Sequence, residues 1–286
     1  MSKLFITALV LFSGWLYRTP SNPMATPAVS LEKLWETDTT LTTPESVLYD
    51  PSSQALYVTC INRKLDSTNN TSFIAKLSVD GKVLQAQWAT GLNVTKGMGI
   101  FGKKLYVTEL HRIAIINLAT GKVEKRIEVP GSKFLNDITV DKKGVVYFSD
   151  SGDNKVYSLQ KDKVTLLSDD SHLAGPNGLL AEGDQLWIGN NRNGTLLLLN
   201  LKTKNLKQIA DGLGATDGIV SDGQGSYFIS SWSGQVFHVK ADGTKTELIN
   251  SVEAKINTAD IEYIPAKKLL LVPTFFHNNV MAYQVK

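Results

Sequence analysis

The sequence predicts an all-β fold, a six-bladed β-propeller, on three observations. A short motif recurs every 40 residues, each copy leads into several strand-like runs, and no stretch keeps a helical period beyond about two turns. Short strands repeating at about 40 residues are the pattern of propeller blades.

Four copies align directly. They are Lys96-Gly97-Met98-Gly99, Asn136-Asp137-Ile138, Pro176-Asn177-Gly178-Leu179 and Thr216-Asp217-Gly218-Ile219, anchored at Gly97, Asp137, Asn177 and Asp217. About ten residues later each reaches an aromatic-bearing run: Leu105-Tyr106-Val107, Val146-Tyr147-Phe148, Leu186-Trp187-Ile188 and Tyr227-Phe228-Ile229. A further run follows, then a polar turn and an outer strand such as Val123-Glu124-Lys125-Arg126-Ile127. Two flanking copies are degenerate. The first opens at Pro44-Glu45-Ser46-Val47 and carries a polar insertion from Asn62 to Ser72, which reads as a surface loop. The last opens at Ala259-Asp260-Ile261 and reaches Lys286 one strand short. The orphan run Ser30 to Glu36 matches the missing strand, and pairing it there would close the ring and cover an open sheet edge.

The 286 residues, 42% hydrophobic and 20% charged, would allow about two domains. The repeat assigns them instead to one propeller over residues 26–286. The 30 basic and 27 acidic side chains leave only +3, without a run of four Lys or Arg, so a nucleic-acid partner is not expected. The single Cys60 excludes a disulfide scaffold and reads as buried packing. Behind Lys3, Leu4 to Phe12 form a nine-residue apolar run, too short for a membrane span of about 20 residues. It reads as a signal peptide over residues 1–25, cut near Ala25, with a secreted or periplasmic product that is not held at a membrane. Sequons at Asn69, Asn70, Asn93 and Asn193 would matter only in a eukaryotic secretory pathway.

In a propeller the innermost strands surround a central channel, so equivalent anchors should face one another. These are Glu45, Gly97, Asp137, Asn177, Asp217 and Asp260; five of the six offer oxygen, and none offers nitrogen or sulfur. Each alone could simply cap a turn. Converging carboxylates repel unless a positive charge lies between them, and an oxygen ring suits a hard divalent cation better than zinc.

Pro44-Glu45-Ser46-Val47-Leu48-Tyr49-Asp50, Asn136-Asp137, Pro176-Asn177-Gly178-Leu179 and Asp217-Gly218-Ile219 resemble the channel motifs of the SMP-30/gluconolactonase/LRE-like superfamily. That resemblance runs from about residue 30 to the end. It implies a six-bladed propeller holding one divalent ion, Ca²⁺ first and Mg²⁺, Mn²⁺ or Zn²⁺ as alternatives, and hydrolysing a lactone or related ester as a monomer. It also implies Glu45, Asn177 and Asp217 as metal ligands, with Asn136 contacting substrate and Asp137 beside the metal. Two departures stand out. Ile138 replaces the usual Gly, which makes Leu135-Asn136-Asp137-Ile138 more similar to the paraoxonase-type propellers. The Arg common before that Asn in sugar lactonases is missing from Gly131-Ser132-Lys133-Phe134-Leu135.

The catalytic expectation is a carboxylate base, Asp217 or Asp137, taking a proton from water beside a polarised carbonyl. Gly97-Met98-Gly99-Ile100-Phe101-Gly102 fits G-x-G-x-x-G but precedes a strand, so it reads as a turn. Neither G-x-S-x-G nor H-E-x-x-H occurs. His172 and His277 read as solvated loop residues, and Trp35, Trp88, Trp187 and Trp232 as packing between blades. The rival to a hydrolase is a non-catalytic propeller that holds a structural ion and binds a ligand or partner.

Overall fold

A computed structural model of the chain describes Met1, residues 29–62 and residues 70–286. The segment expected to be a signal peptide (apart from Met1), the Asn69 sequon and most of the insertion after Asn62 lie outside the described residues. Six four-stranded antiparallel sheets are arranged as a six-bladed β-propeller. The innermost strands are Pro44–Asp50, Met98–Phe101, Leu135–Val140, Pro176–Glu182, Thr216–Ser221 and Glu262–Ile264. The ring closes as the sequence suggested. Leu31–Glu36 is the outermost strand of the last blade, paired with Val280–Val285. At the channel, Asp260 N–H donates to Glu45 O at 2.9 Å, so the first and last inner strands adjoin. Among the described residues no helix is long and apolar enough to cross a membrane.

The core lies between blades because each sheet buries both faces. Along Ala55–Cys60, Leu56, Val58 and Cys60 join Leu269, Leu271 and Ala282 of the last blade. Tyr57 points the opposite way, into a cluster with Trp88 of its own blade and Leu105 and Ile116 of the second blade. This is the two-residue alternation of a strand applied to both faces at once. The four tryptophans noted above pack as expected. Trp88 lies 4.5 Å from Tyr57 and Trp187 lies 4.3 Å from Tyr227, ring centre to ring centre, while Trp35 covers the first cluster. Cys60 is free and fully buried.

Four of the six anchors, Glu45, Asp137, Asn177 and Asp217, sit in a shared irregularity. Strand register breaks between Pro44 and Val47, Leu135 and Ile138, Pro176 and Leu179, and Thr216 and Ile219. A bulge of this kind re-aims side chains out of the normal alternation. Buried hydroxyls on the second strands secure it. Ser149 Oγ accepts from Asp137 N–H at 3.0 Å and donates to Asn177 O at 3.0 Å. Ser230 Oγ accepts from Gly218 N–H at 2.8 Å and donates to Ala259 O at 2.7 Å. Each hydroxyl therefore ties one blade's bulge to the backbone of the next, at Asn177 within an inner strand and at Ala259 just before one.

Candidate metal centre

Glu45, Asn136, Asn177 and Asp217 line one cavity of about 380 Å³, together with Lys96, Phe134, Ser151, Asn191, Arg192, Trp232 and Phe275. Glu45, Asn177 and Asp217 are each only 3% exposed. Asn177 Nδ2 donates to Asp217 Oδ1 at 3.1 Å, which fixes the amide and turns its oxygen the other way. Glu45 Oε1 accepts from Lys96 Nζ at 3.2 Å. Asn136 Nδ2 donates to Ser151 Oγ at 3.1 Å.

Burial dominates the electrostatics. It pushes the Asp217 carboxyl well above its usual range, with Glu45 and Asp260 adding repulsion and Lys96 and the Asn177 hydrogen bond pulling it back. Burial also raises Glu45, partly offset by the Lys96 ammonium. Two acceptors in this cluster, Glu45 Oε2 and Asn177 Oδ1, are buried without a hydrogen-bond partner. An unmet buried acceptor costs on the order of 1–3 kcal/mol. Both are oxygens and both belong to the set implied to hold a divalent ion, so the residues fit a hard cation. Among the described residues no three His, Cys, Asp or Glu gather at one point. This donor set differs from such a cluster because it combines two carboxylates with an amide oxygen, which also argues against zinc.

Asp137 is placed elsewhere. Its Oδ1 accepts from Ile138 N–H and its Oδ2 from Leu179 N–H, both at 2.6 Å. It lines a second cavity of about 400 Å³ with Asp260 and Glu262, not the one holding Glu45, Asn177 and Asp217. Burial and the neighbouring Asp260 raise its carboxyl well above the usual range. The cause is the bulge: Asn136 and Asp137 are consecutive, and only Asn136 enters the first cavity. Of the two carboxylates expected as bases, the fold therefore brings Asp217 alone to the implied ligands.

Sequence reasoning missed several members of the site. Lys96 precedes the Gly97 anchor just as Asn136 precedes Asp137, and both line the cavity; that equivalence was a readable signal. Phe134 takes a wall position, while Lys133 beside it is exposed. Trp232 packs between blades as expected, against a cluster with Phe275, which it meets edge-on at 5.7 Å, and it also lines the cavity. Phe275 itself holds a left-handed backbone, φ 49°, an unusual conformation for an aromatic residue. His172 is exposed beside Asp170 and His277 is exposed, as a solvated reading requires.

Solved structures share this architecture at low identity. A gluconolactonase from Xanthomonas campestris is 17% identical over 90% of this chain and 89% of its own, with a TM-score of 0.70. A virginiamycin B lyase from Staphylococcus aureus, solved with quinupristin, is 12% identical over 90% and 99%, with a TM-score of 0.64. A chain of a nidogen/laminin complex is 18% identical over 73% and 80%, with a TM-score of 0.61. At such identities the likeness establishes the fold alone. No curated protein matches the chain. Residues 43–260, most of the ring including Glu45, Asn177 and Asp217, match the SMP-30/Gluconolactonase/LRE-like region, and the chain belongs to that family of lactonase-like propellers.

Proposed function

We propose that the protein is a hydrolase of lactones or related esters that depends on one divalent ion, Ca²⁺ first among the candidates, held by Glu45, Asn177 and Asp217. One observation carries this reading: Glu45 Oε2 and Asn177 Oδ1 are buried acceptors without partners, side by side with Asp217 in one cavity. When bound, such an ion supplies a Lewis acid that polarises a carbonyl and acidifies water. The remaining work falls to the chain. Asn136 and Lys96 bind and orient the ester from the cavity wall. Asp217 takes the proton from water as its oxygen attacks the carbonyl carbon. The acyl C–O bond then breaks, and the alcohol oxygen leaves with the proton that Asp217 took from water, giving a hydroxy acid from a lactone. Phe134, Trp232 and Phe275 exclude solvent around the reacting group.

A second reading has its own support. Lys96 already partners Glu45, as it would in a binding propeller whose site keeps its charges without turnover. One experiment separates the two: a panel of lactones and esters assayed with chelator, then with Ca²⁺, Mg²⁺, Mn²⁺ and Zn²⁺ restored. Chelator-sensitive hydrolysis that Asp217→Asn abolishes supports the hydrolase. Tight ion binding without turnover on any substrate sinks it in favour of the binder.

A further inference from the structure

Lys96 has more hydrogen-bonding capacity than its surroundings use. Its side chain is 7% exposed and pairs with Glu45. Its ammonium also lies 4.9 Å from the centre of the Phe134 ring. An ammonium carries three donors. Its one hydrogen bond among the described residues, to Glu45 Oε1, leaves two N–H groups on a residue that lines the cavity.

The neutral polar groups of the wall are each tied by a hydrogen bond to the protein. Asn136 Nδ2 donates to Ser151 Oγ, Ser151 Oγ donates to Pro176 O at 2.7 Å, and Asn191 Nδ2 donates to Thr216 O at 3.3 Å. Asn136 and Asn191 each keep a second amide N–H, a neutral donor that does not select an anion over a hydroxyl. Charge is what separates the two ligand classes. Glu45 and Asp217 give −2, Lys96 gives +1 and a divalent ion +2, so the loaded site stands at +1. Arg192 adds a further positive charge at the rim, held by Ser151 O at 2.9 Å and Asn154 Oδ1 at 3.3 Å. Around these cations stand Phe134, Trp232 and Phe275. The complementary ligand has an anionic group and a flat apolar body.

We propose that Lys96 determines specificity by receiving a carboxylate borne by the substrate, so that the site takes acidic lactones or esters in preference to neutral polyhydroxylated ones. This rests on the hydrolase reading for the word substrate, but its test needs no turnover. The probes are phenylacetate and its neutral isostere phenylacetamide, titrated calorimetrically into the calcium-loaded protein. Wild type should bind phenylacetate more tightly, by about tenfold or more, the range for a hydrogen bond to a charged group. Lys96→Met should lose that advantage, read as the ratio of the two affinities in the same protein, and Lys96→Arg should keep it. If Lys96→Met binds phenylacetate as wild type does, the ion alone holds the carboxylate and the proposal falls. If wild type shows no preference, it falls without any variant, so a misfolded Lys96→Met cannot protect it. A carboxylate preference without hydrolysis anywhere in the lactone panel would overturn the hydrolase and leave the role of Lys96 standing.

Discussion

Asn177 Nδ2 donates to Asp217 Oδ1 at 3.1 Å, joining two anchors from neighbouring blades. The bond orients both residues: Asp217 is held by a donor, and the Asn177 oxygen is left free of protein partners. Asn177→Ala should therefore weaken calcium binding by more than about tenfold, because it removes an oxygen ligand and frees the carboxylate beside it. Asn177→Asp should behave differently. It restores an oxygen but adds a third acid to a buried cluster, so unfolding without divalent ions should occur at lower temperature, with a larger calcium-induced rise than in wild type. Thermal unfolding with chelator and across a calcium series checks both; equal shifts in all three proteins would contradict the assignment.

Lys96 and a divalent ion would compete for the same carboxylate. The ammonium pairs with Glu45 Oε1 in a site nearly closed to solvent, where charges are poorly screened. Lys96→Met should accordingly tighten calcium binding by about tenfold or more, while lowering stability in chelator because Glu45 loses its counter-ion. Calorimetric titration with calcium measures the first effect and urea unfolding the second. Weaker calcium binding in Lys96→Met would show that Lys96 organises the ligand set instead of opposing the ion.

Acidic groups under the ring predict an unusual dependence on pH. Glu262 accepts from Tyr49 N–H at 3.0 Å and Tyr263 N–H at 2.8 Å, yet burial raises its carboxyl to about 7 from an ordinary 4.5. Burial likewise raises Asp260 to about 8, with Glu45 and Glu262 adding repulsion against the Ser46 hydrogen bond. A folded-state value above the unfolded one gives stability that is full below the unfolded value and lost as pH rises through the folded one. Without divalent ions the protein should thus be more stable near about pH 5 than near about pH 8. Glu262→Gln should flatten part of that fall, by at most about 3 kcal/mol and by less where solvent screens this half-buried group. Urea midpoints across this range decide it, and an unchanged slope in Glu262→Gln would remove Glu262 from the account.

The architecture was legible because a propeller writes its repeat into the chain: the anchors and the aromatic second strands keep one spacing. The ring of six anchors was legible for the same reason, and the family resemblance narrowed it to Glu45, Asn177 and Asp217. Two things were not. Asn136 and Asp137 are consecutive, and only the bulge between Leu135 and Ile138 sends one to each cavity; local irregularity of this kind has no composition signature. The close approach of inner strands was also hidden. A Cβ built on Gly178 would overlap the Asp217 carbonyl oxygen, so this glycine is required by the neighbouring blade and not by its own turn. Gly178→Ala should cost at least about 2 kcal/mol, because a backbone atom cannot rotate aside as a side chain can.

Closure of the ring makes the sharpest claim about the fold. Leu31–Glu36 pairs with Val280–Val285 from Leu31 opposite Val285 to Glu36 opposite Met281. Asn279 Nδ2 donates to Glu36 Oε2 at 3.2 Å, and Thr37 N–H to Val280 O at 3.0 Å. The strand also brings apolar cover, Trp35 to one core cluster and Leu31 to another. A chain beginning at Thr37 would keep the implied ligands Glu45, Asn177 and Asp217 but expose the edge of Val280–Val285, whose Val280, Met281 and Ala282 are buried in the full ring. An unpaired apolar edge recruits other chains. Compared with a chain beginning at Thr26, it should unfold at least about 10 °C lower and scatter light on heating, as several lost kcal/mol would require at this size. Were the shorter chain equally stable and monodisperse, the last blade would be complete with three strands, and the pairing of the two ends would be an accessory contact.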